Sequence, residues 1–229
     1  MKATLKTPFN GTIGKVFDHV KFANIYNFFN RAIRLKPNFW RGYFHRGNDF
    51  MNMRKRQRAR DDFNFIFEFC RDSLDRLYEH IIRGCIFELD KHEEEYRHQQ
   101  QNKYKKNGDN NPEVDEQLQK TLGACTAKAQ EQYRLALEID PNNYHANYFL
   151  GFTLSDEKKF IESIAYYEKA ASVAPFNPYV FALFANITNF FVVIISCVAY
   201  SNIAYAYQQM TQYDKATEFY QKSLEAFPR

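Results

Sequence analysis

Apolar residues along this chain recur at helical rather than strand intervals. From Phe22 to Pro37 the run FANIYNFFNRAIRLKP sets Ile25, Phe29 and Ala32 on one helical face and stops at a proline. A second pair of helical patterns opens at Trp40, with Tyr43, Gly47 and Phe50 in its first helix and Ala59 and Phe63 in its second. Residues 74–90, LDRLYEHIIRGCIFELD, predict a further first helix carrying Gly84 and Phe87. The pattern then breaks. From Lys91 to Gln117 the chain is charged, rich in Gln and Asn and almost free of aliphatics, which predicts a solvated insertion or a frayed helical extension rather than core. Periodicity returns with Ala129, Tyr133, Ala136, Leu137 and Ile139 on one face, runs to 177, and resumes over 197–229. Residues 1–21 are ambiguous, because Gly11 and Gly14 interrupt a degenerate first helix.

The helices repeat with a period. Tyr133, Ala136 and Pro141 are echoed by Tyr167, Ala170 and Pro175, each 34 residues later, and Phe29 is followed by Phe63 at the same interval. Gly151 removes a side chain where the first helix of a pair must approach the second, and Ala170 does so from the other side. Tyr167 and Phe160 fill the space between. Pro175 cannot continue a helix and biases the residue before it away from helical geometry, so the chain turns. In the unit opening at Trp40, Arg71 stands where the proline is expected and Ile66 where the alanine is. Residues 74–143 read as one unit whose two helices are separated by the polar insert, since Pro37 to Pro141 is 104 residues, close to three periods.

A helix-turn-helix of this length, with Leu150-Gly151, an aromatic, an alanine and a closing proline, resembles the tetratricopeptide repeat. The resemblance is clearest over 131–177 and 197–229. In the last stretch Tyr200, Ile203-Ala204, Tyr207, Tyr213, Ala216, Tyr220 and Pro228 take the corresponding places. It implies an all-α, right-handed superhelix of about five units, each unable to bury both its faces alone. The expected organisation is a degenerate N-terminal helix or cap at 1–21, N-terminal units at 22–90, a polar insert at 91–117, central units at 118–177, an apolar insertion at 178–196 and a C-terminal unit at 197–229.

That apolar insertion admits several readings. No charged residue lies between Ala170 and Tyr213, and 179–200 is long enough to span a bilayer. Against a span, Asn186 and Asn189 would sit near its middle, and lysines flank both sides, so charge sets no orientation. The favoured reading is a lengthened apolar helix packed in or beside the solenoid; translation of a retained intron would also leave such an in-frame insert.

Composition narrows the picture further. Aromatics make up 17% of residues, which suits ring-into-gap packing between helices, while only 8 Gly and 7 Pro argue against an all-β fold. Residues 1–60 hold 14 Lys and Arg against Asp18 and Asp49, and residues 61–229 hold 17 against 25 acidic side chains. This polarity could steer an acidic partner, and it leaves mitochondrial targeting open beside the expected cytoplasmic location. Cys70, Cys85, Cys125 and Cys197 form no C-x-x-C pair and read as buried, reduced thiols.

Motifs for chemistry are missing. His92-Glu93-Glu94-Glu95-Tyr96 departs from H-E-x-x-H at its second ligand, and His98 lies off the shared face. No phosphate-binding loop, dinucleotide fingerprint or serine elbow occurs, so the expectation is no catalytic residue, no metal and no cofactor. Asn186-Ile187-Thr188 is a formal glycosylation sequon without supporting context. The sharpest charge cluster is Arg54, Lys55, Arg56, Arg58 and Arg60, at a turn between two helices. It reads as a solvated turn, or as a dock for an acidic tail, a phosphate backbone or an anionic membrane surface, and nucleic-acid binding would want free aromatics beside it.

The resemblance implies that the first helices of the units line a concave groove for a partner peptide or helix. One subset of the family grips acidic chaperone tails with a carboxylate clamp. Of that clamp only Asn48 fits here; Phe44 stands in place of a lysine, the next first helix presents Ile81 and Ile82, and the third presents His145 and Phe149. The clamp is therefore absent, and the expected lining is His45, Asn48, Tyr148, Phe149, Phe152, Asn202 and Tyr205. The functional expectation is a non-catalytic adaptor or scaffold for a protein partner within a larger complex. The alternatives are a membrane-anchored adaptor using 179–200, and binding of nucleic acid or an anionic surface through 54–60.

Overall fold

Caps, prolines and periodic apolar faces all translate into helices. A computed structural model describes residues 21–103, 112–172 and 188–226. Among these, the regular elements are nine α-helices and one 3-10 turn, with no strand. The architecture is an all-α solenoid of paired helices. Its contacts fall into two compact units, residues 1–74 and 75–229.

The first unit contains α1 (Lys21–Leu35), α2 (Trp40–Asn52) and α3 (Arg56–Phe69), followed by a 3-10 turn at Arg71–Ser73. Pro37 closes α1 as its fixed geometry requires. Where the proline is missing, at Arg71, the chain makes that short 3-10 turn and then extends at Leu74. Phe29, Phe44, Phe63 and Ile66 are buried to 2% exposure or less. A Cβ on Gly47 would come within 2.6 Å of the Phe63 ring, so α2 and α3 meet here because one of them lacks a side chain. Beside it, Arg46 occupies the place that Leu150 holds in a later unit. Its guanidinium donates to both oxygens of Asp62 at 2.9 and 2.6 Å and to the Asn30 amide oxygen at 2.7 Å. Buried polar atoms are tolerable only with partners of this quality.

The second unit contains α4 (Arg76–Asn102), α5 (Pro112–Ile139), α6 (Tyr144–Asp156), α7 (Phe160–Ser172), α8 (Thr188–Gln209) and α9 (Tyr213–Glu225). Asp75 caps α4 by accepting from the Tyr78 amide at 2.9 Å, and Asn143 caps α6 by accepting from that of Ala146 at 3.1 Å. Gly84 lies against the Tyr133 ring and Gly151 against the Tyr167 ring, repeating the Gly47–Phe63 contact. Between α7, α8 and α9, Ile164, Tyr167, Ala171, Ala199, Ile203 and Ala206 form one buried cluster, flanked by Phe160, Tyr207 and Phe219. Ala204 and Ala216 are buried as well, so close approach in the last unit uses alanine where others use glycine.

The polar region 91–117 shows itself as helix at both ends. α4 runs on to Asn102 and α5 starts at Pro112, giving helices of 27 and 28 residues where α6, α7 and α9 have 13. At 1.5 Å per residue each long helix spans roughly 40 Å, about twice the length of the others. Their outer halves form an arm, crossed by a His98 Nε2–Asp115 Oδ1 contact of 3.0 Å. Lys91, the first residue of the polar segment, is buried.

The apolar insertion 178–196 falls partly outside the described residues. Its later portion, 188–196, is the start of α8 and continues without a break into the helix of the last unit. Among the described residues no helix is long and apolar enough to cross a membrane. The expectations for 1–20 and for the 179–187 part of the 179–200 span lie outside the described residues.

Candidate functional site

The first helices α6 and α8 of the second unit meet around a pair of tyrosines. Tyr148 on α6 and Tyr167 on α7 pack with ring centroids 5.9 Å apart, and Asn202 on α8 lies beside both. Burial raises the pKa of both phenols, so both stay neutral. Phe149 stacks on Tyr133 with ring centroids 5.5 Å apart, and reaches His145 at 6.3 Å. Tyr148, Phe149 and Asn202 are thus half-buried and engaged in helix-to-helix packing.

Two of the expected residues behave differently. Phe152 is 38% exposed and Tyr205 48% exposed. They are 53 residues apart, as are Gly151 and Ala204, so they hold the same position in successive units. Val198, seven residues before Tyr205 and so on the same side of α8, is 37% exposed and belongs with them. Sequence reading missed Val198, although its spacing of two helical turns from Tyr205 could have found it. α8 carries no charged side chain, and α6 carries only Asp156, its last residue. The face that α6 and α8 present is therefore apolar and aromatic.

In the first unit, His45 stacks on Phe29 at 5.5 Å and meets Phe44 edge-on at 5.3 Å. Burial, and after it the charge of Arg41, pushes its imidazole down to about 4, so it is uncharged at neutral pH. Asn48 is half-buried. On the same helix Asp49 is buried, and its Oδ2 accepts no hydrogen bond among the described residues; burial pushes its carboxyl up to about 7.

At the basic turn Arg54, Lys55 and Arg58 are exposed, while Arg56 and Arg60 are half-buried. Arg58 lies over the Phe50 ring at 5.8 Å. The aromatics nearest in sequence are committed: Phe63 is fully buried, and Phe65 is stacked on Tyr43 at 4.3 Å and packed on Phe69 at 4.6 Å. Arg54 has φ 57°, in the left-handed region, and Lys158 and Thr211 repeat that geometry with φ of 63° and 60°. In each case the next amide reaches back to the carbonyl five residues earlier: Lys55 to Phe50, Lys159 to Leu154, Gln212 to Tyr207. These are Schellman closures made without glycine.

Around the zinc-like motif, His92 Nδ1 pairs with Glu95 Oε2 at 3.1 Å. No group of three or more His, Cys, Asp or Glu is placed to hold a metal ion among the described residues. Cys70, Cys85, Cys125 and Cys197 are all free thiols, and burial pushes Cys85 up to about 12, far from reactivity.

No curated protein matches the chain. Among solved structures, two crystal structures of MamA are similar in arrangement. One shares 17% identity over 88% of this chain and 85% of that chain, with a TM-score of 0.40; the other shares 17% over 90% and 84%, with a TM-score of 0.41. The assignment does not rest on those likenesses. A sequence model of the tetratricopeptide repeat matches residues 144–177 and 198–229. Those segments hold the Gly151–Tyr167 contact and the α8–α9 pair, and over them the chain carries tetratricopeptide repeats.

Proposed function

We propose that this chain is a non-catalytic interaction scaffold that holds a partner's peptide or helix along the face formed by α6 and α8. One observation carries the reading: Phe152 and Tyr205, at equivalent positions of successive repeats, are exposed, while Tyr148, Phe149 and Tyr207 on the same two helices are half-buried. A rigid row of rings offers contact area while losing little side-chain entropy, so most of the ordering cost falls on the partner. The uncharged lining suits an apolar or aromatic segment and provides no anchor for a terminal carboxylate. His45 and Asn48, in the other unit, are assigned no part in this contact.

The test is affinity purification with the intact protein, comparing wild type with a Phe152→Ser, Tyr205→Ser double variant of unchanged helix content. Specific co-purifying chains should fall about tenfold or more, as expected for removal of two central contacts. Retention of the same chains at the same yield by the double variant overturns the proposal.

A further inference from the structure

Where α4 passes from its repeat into the arm, charged side chains leave water together. Glu88 is 3% exposed and Lys91 7% exposed. Lys91 Nζ donates to Asp156 Oδ2 at 2.5 Å, joining α4 to the end of α6. Asp156 is the last residue of α6, so the ammonium also faces the negative end of that helix. Glu88 sits beside this pair, yet neither of its oxygens accepts a hydrogen bond among the described residues. We propose that this junction is a proton-operated latch: with Glu88 protonated, Lys91 is committed to Asp156 and fastens α4 to α6, and loss of that proton sets two carboxylates against one ammonium and loosens the join.

The surrounding charges fit this division. From α4, Lys91 and His92 favour an ionised Glu88 and Glu95 opposes it; from α6, Asp156 opposes it. Tyr133 and Cys125 on α5 and Cys85 on α4 are held neutral, because burial raises each of them. Burial is the largest influence on Glu88 itself and raises its carboxyl above the ordinary 4.5. A carboxyl whose pKa is higher folded than unfolded contributes its stability below the unfolded value and loses it as pH rises through the folded one. A second join at this corner does not involve Glu88: Gln130 donates to Glu157 at 2.8 Å, and Lys159 donates to the same carboxylate at 2.9 Å. It ties α5 to α6, so the loosening is confined to the α4–α6 contact.

Hydrogen exchange read by mass spectrometry on the intact chain, corrected for intrinsic rates, tests the latch between pH 5 and 8. In the wild type, protection of 84–92 and 150–157 should fall by about threefold or more across that range. Residues 160–170 serve as control, and 76–82 report separately on the Tyr78–His145 hydrogen bond of 3.3 Å at the other end of α6. Glu88→Gln, which fixes the neutral state, should hold 84–92 flat. If that variant does not fold, Asp156→Asn leaves Lys91 to Glu88 alone and should move the step to lower pH. The same step in Glu88→Gln, a wild type without a step, or an unmoved step in Asp156→Asn each overturns the proposal.

Discussion

Two helix pairs make the same central contact across very different lengths of chain. In α2 and α3, Gly47 meets Phe63 after 16 residues; in α4 and α5, Gly84 meets Tyr133 after 49. Of the 33 additional residues, those the structure describes lengthen both helices into an arm and leave the glycine–aromatic pair beneath unchanged. Close packing of a ring against bare backbone therefore defines these two pairs, and the turn that closes them is replaceable. The short pairs close with a left-handed residue at Arg54, Lys158 or Thr211, and the arm pair has no such turn among the described residues.

The comparison would break most visibly at the rings. Phe63→Ala and Tyr133→Ala should each cost about 3–5 kcal/mol by chemical denaturation, if the arm adds nothing to its own base. A much smaller loss for Tyr133→Ala would mean that the arm sustains the pair by itself. Filling the opposing gap is the next largest change. Gly47→Ala and Gly84→Ala place a methyl inside the ring's volume and should cost about 1–3 kcal/mol, against a gain of about 1 kcal/mol in helix propensity. Gly151→Ala should cost less, because its nearest ring atoms stand at 3.0 and 3.1 Å and can give.

Titration sharpens the contrast between the units. In α2, His45 loses stability as pH falls from 6.5 toward about 4, because the unfolded ring takes up a proton that the folded one resists. Asp49 loses it in the opposite direction, as pH rises from 3.8 toward about 7. The two nearly cancel in the wild type. Asp49→Asn should expose a rise in α2 protection between pH 4 and 6.5, and His45→Gln a fall over the same range. Neither slope should exceed about 1.4 kcal/mol per pH unit. The smallest effect belongs to the turns. Arg54→Gly, Lys158→Gly and Thr211→Gly should each raise stability by about 0.5–1 kcal/mol, with Thr211 gaining most because its branched Cβ suits the left-handed region least. Thermal melts that show losses would mean that these side chains hold contacts worth more than the backbone strain.

How much of this was legible follows from what the residues do. Gly47, Gly84 and Gly151 announce their contacts. A glycine inside a helix costs about 1 kcal/mol, and at these three positions, which recur with the repeat, it admits an aromatic from the partner helix, unlike Gly123, which has open space around it. Pro37 and Pro141 mark turns for a local backbone reason. The binding face was harder. Tyr148 and Phe152 are four residues apart on one helix, yet one packs against Tyr167 and the other faces outward. A modest rotation around the helix axis separates these fates, and only the position of the neighbouring helix decides which residue falls where. Lys91 and Glu88 were hidden for a different reason. They border a charged run and look solvated, and the partner that buries Lys91 lies 65 residues onward.

The arm has a further consequence for how such a chain can vary in length. Because its helices run antiparallel from a fixed base, residues gained on the outgoing helix must be matched on the returning one, or the tip is thrown out of register. Each added residue also swings the end by about 100°, so increments near whole turns preserve which sides face each other. Tolerated length variants of this protein should therefore come in paired steps of about seven residues in total, and a lone deletion in α4 should disturb the tip while sparing Gly84 and Tyr133.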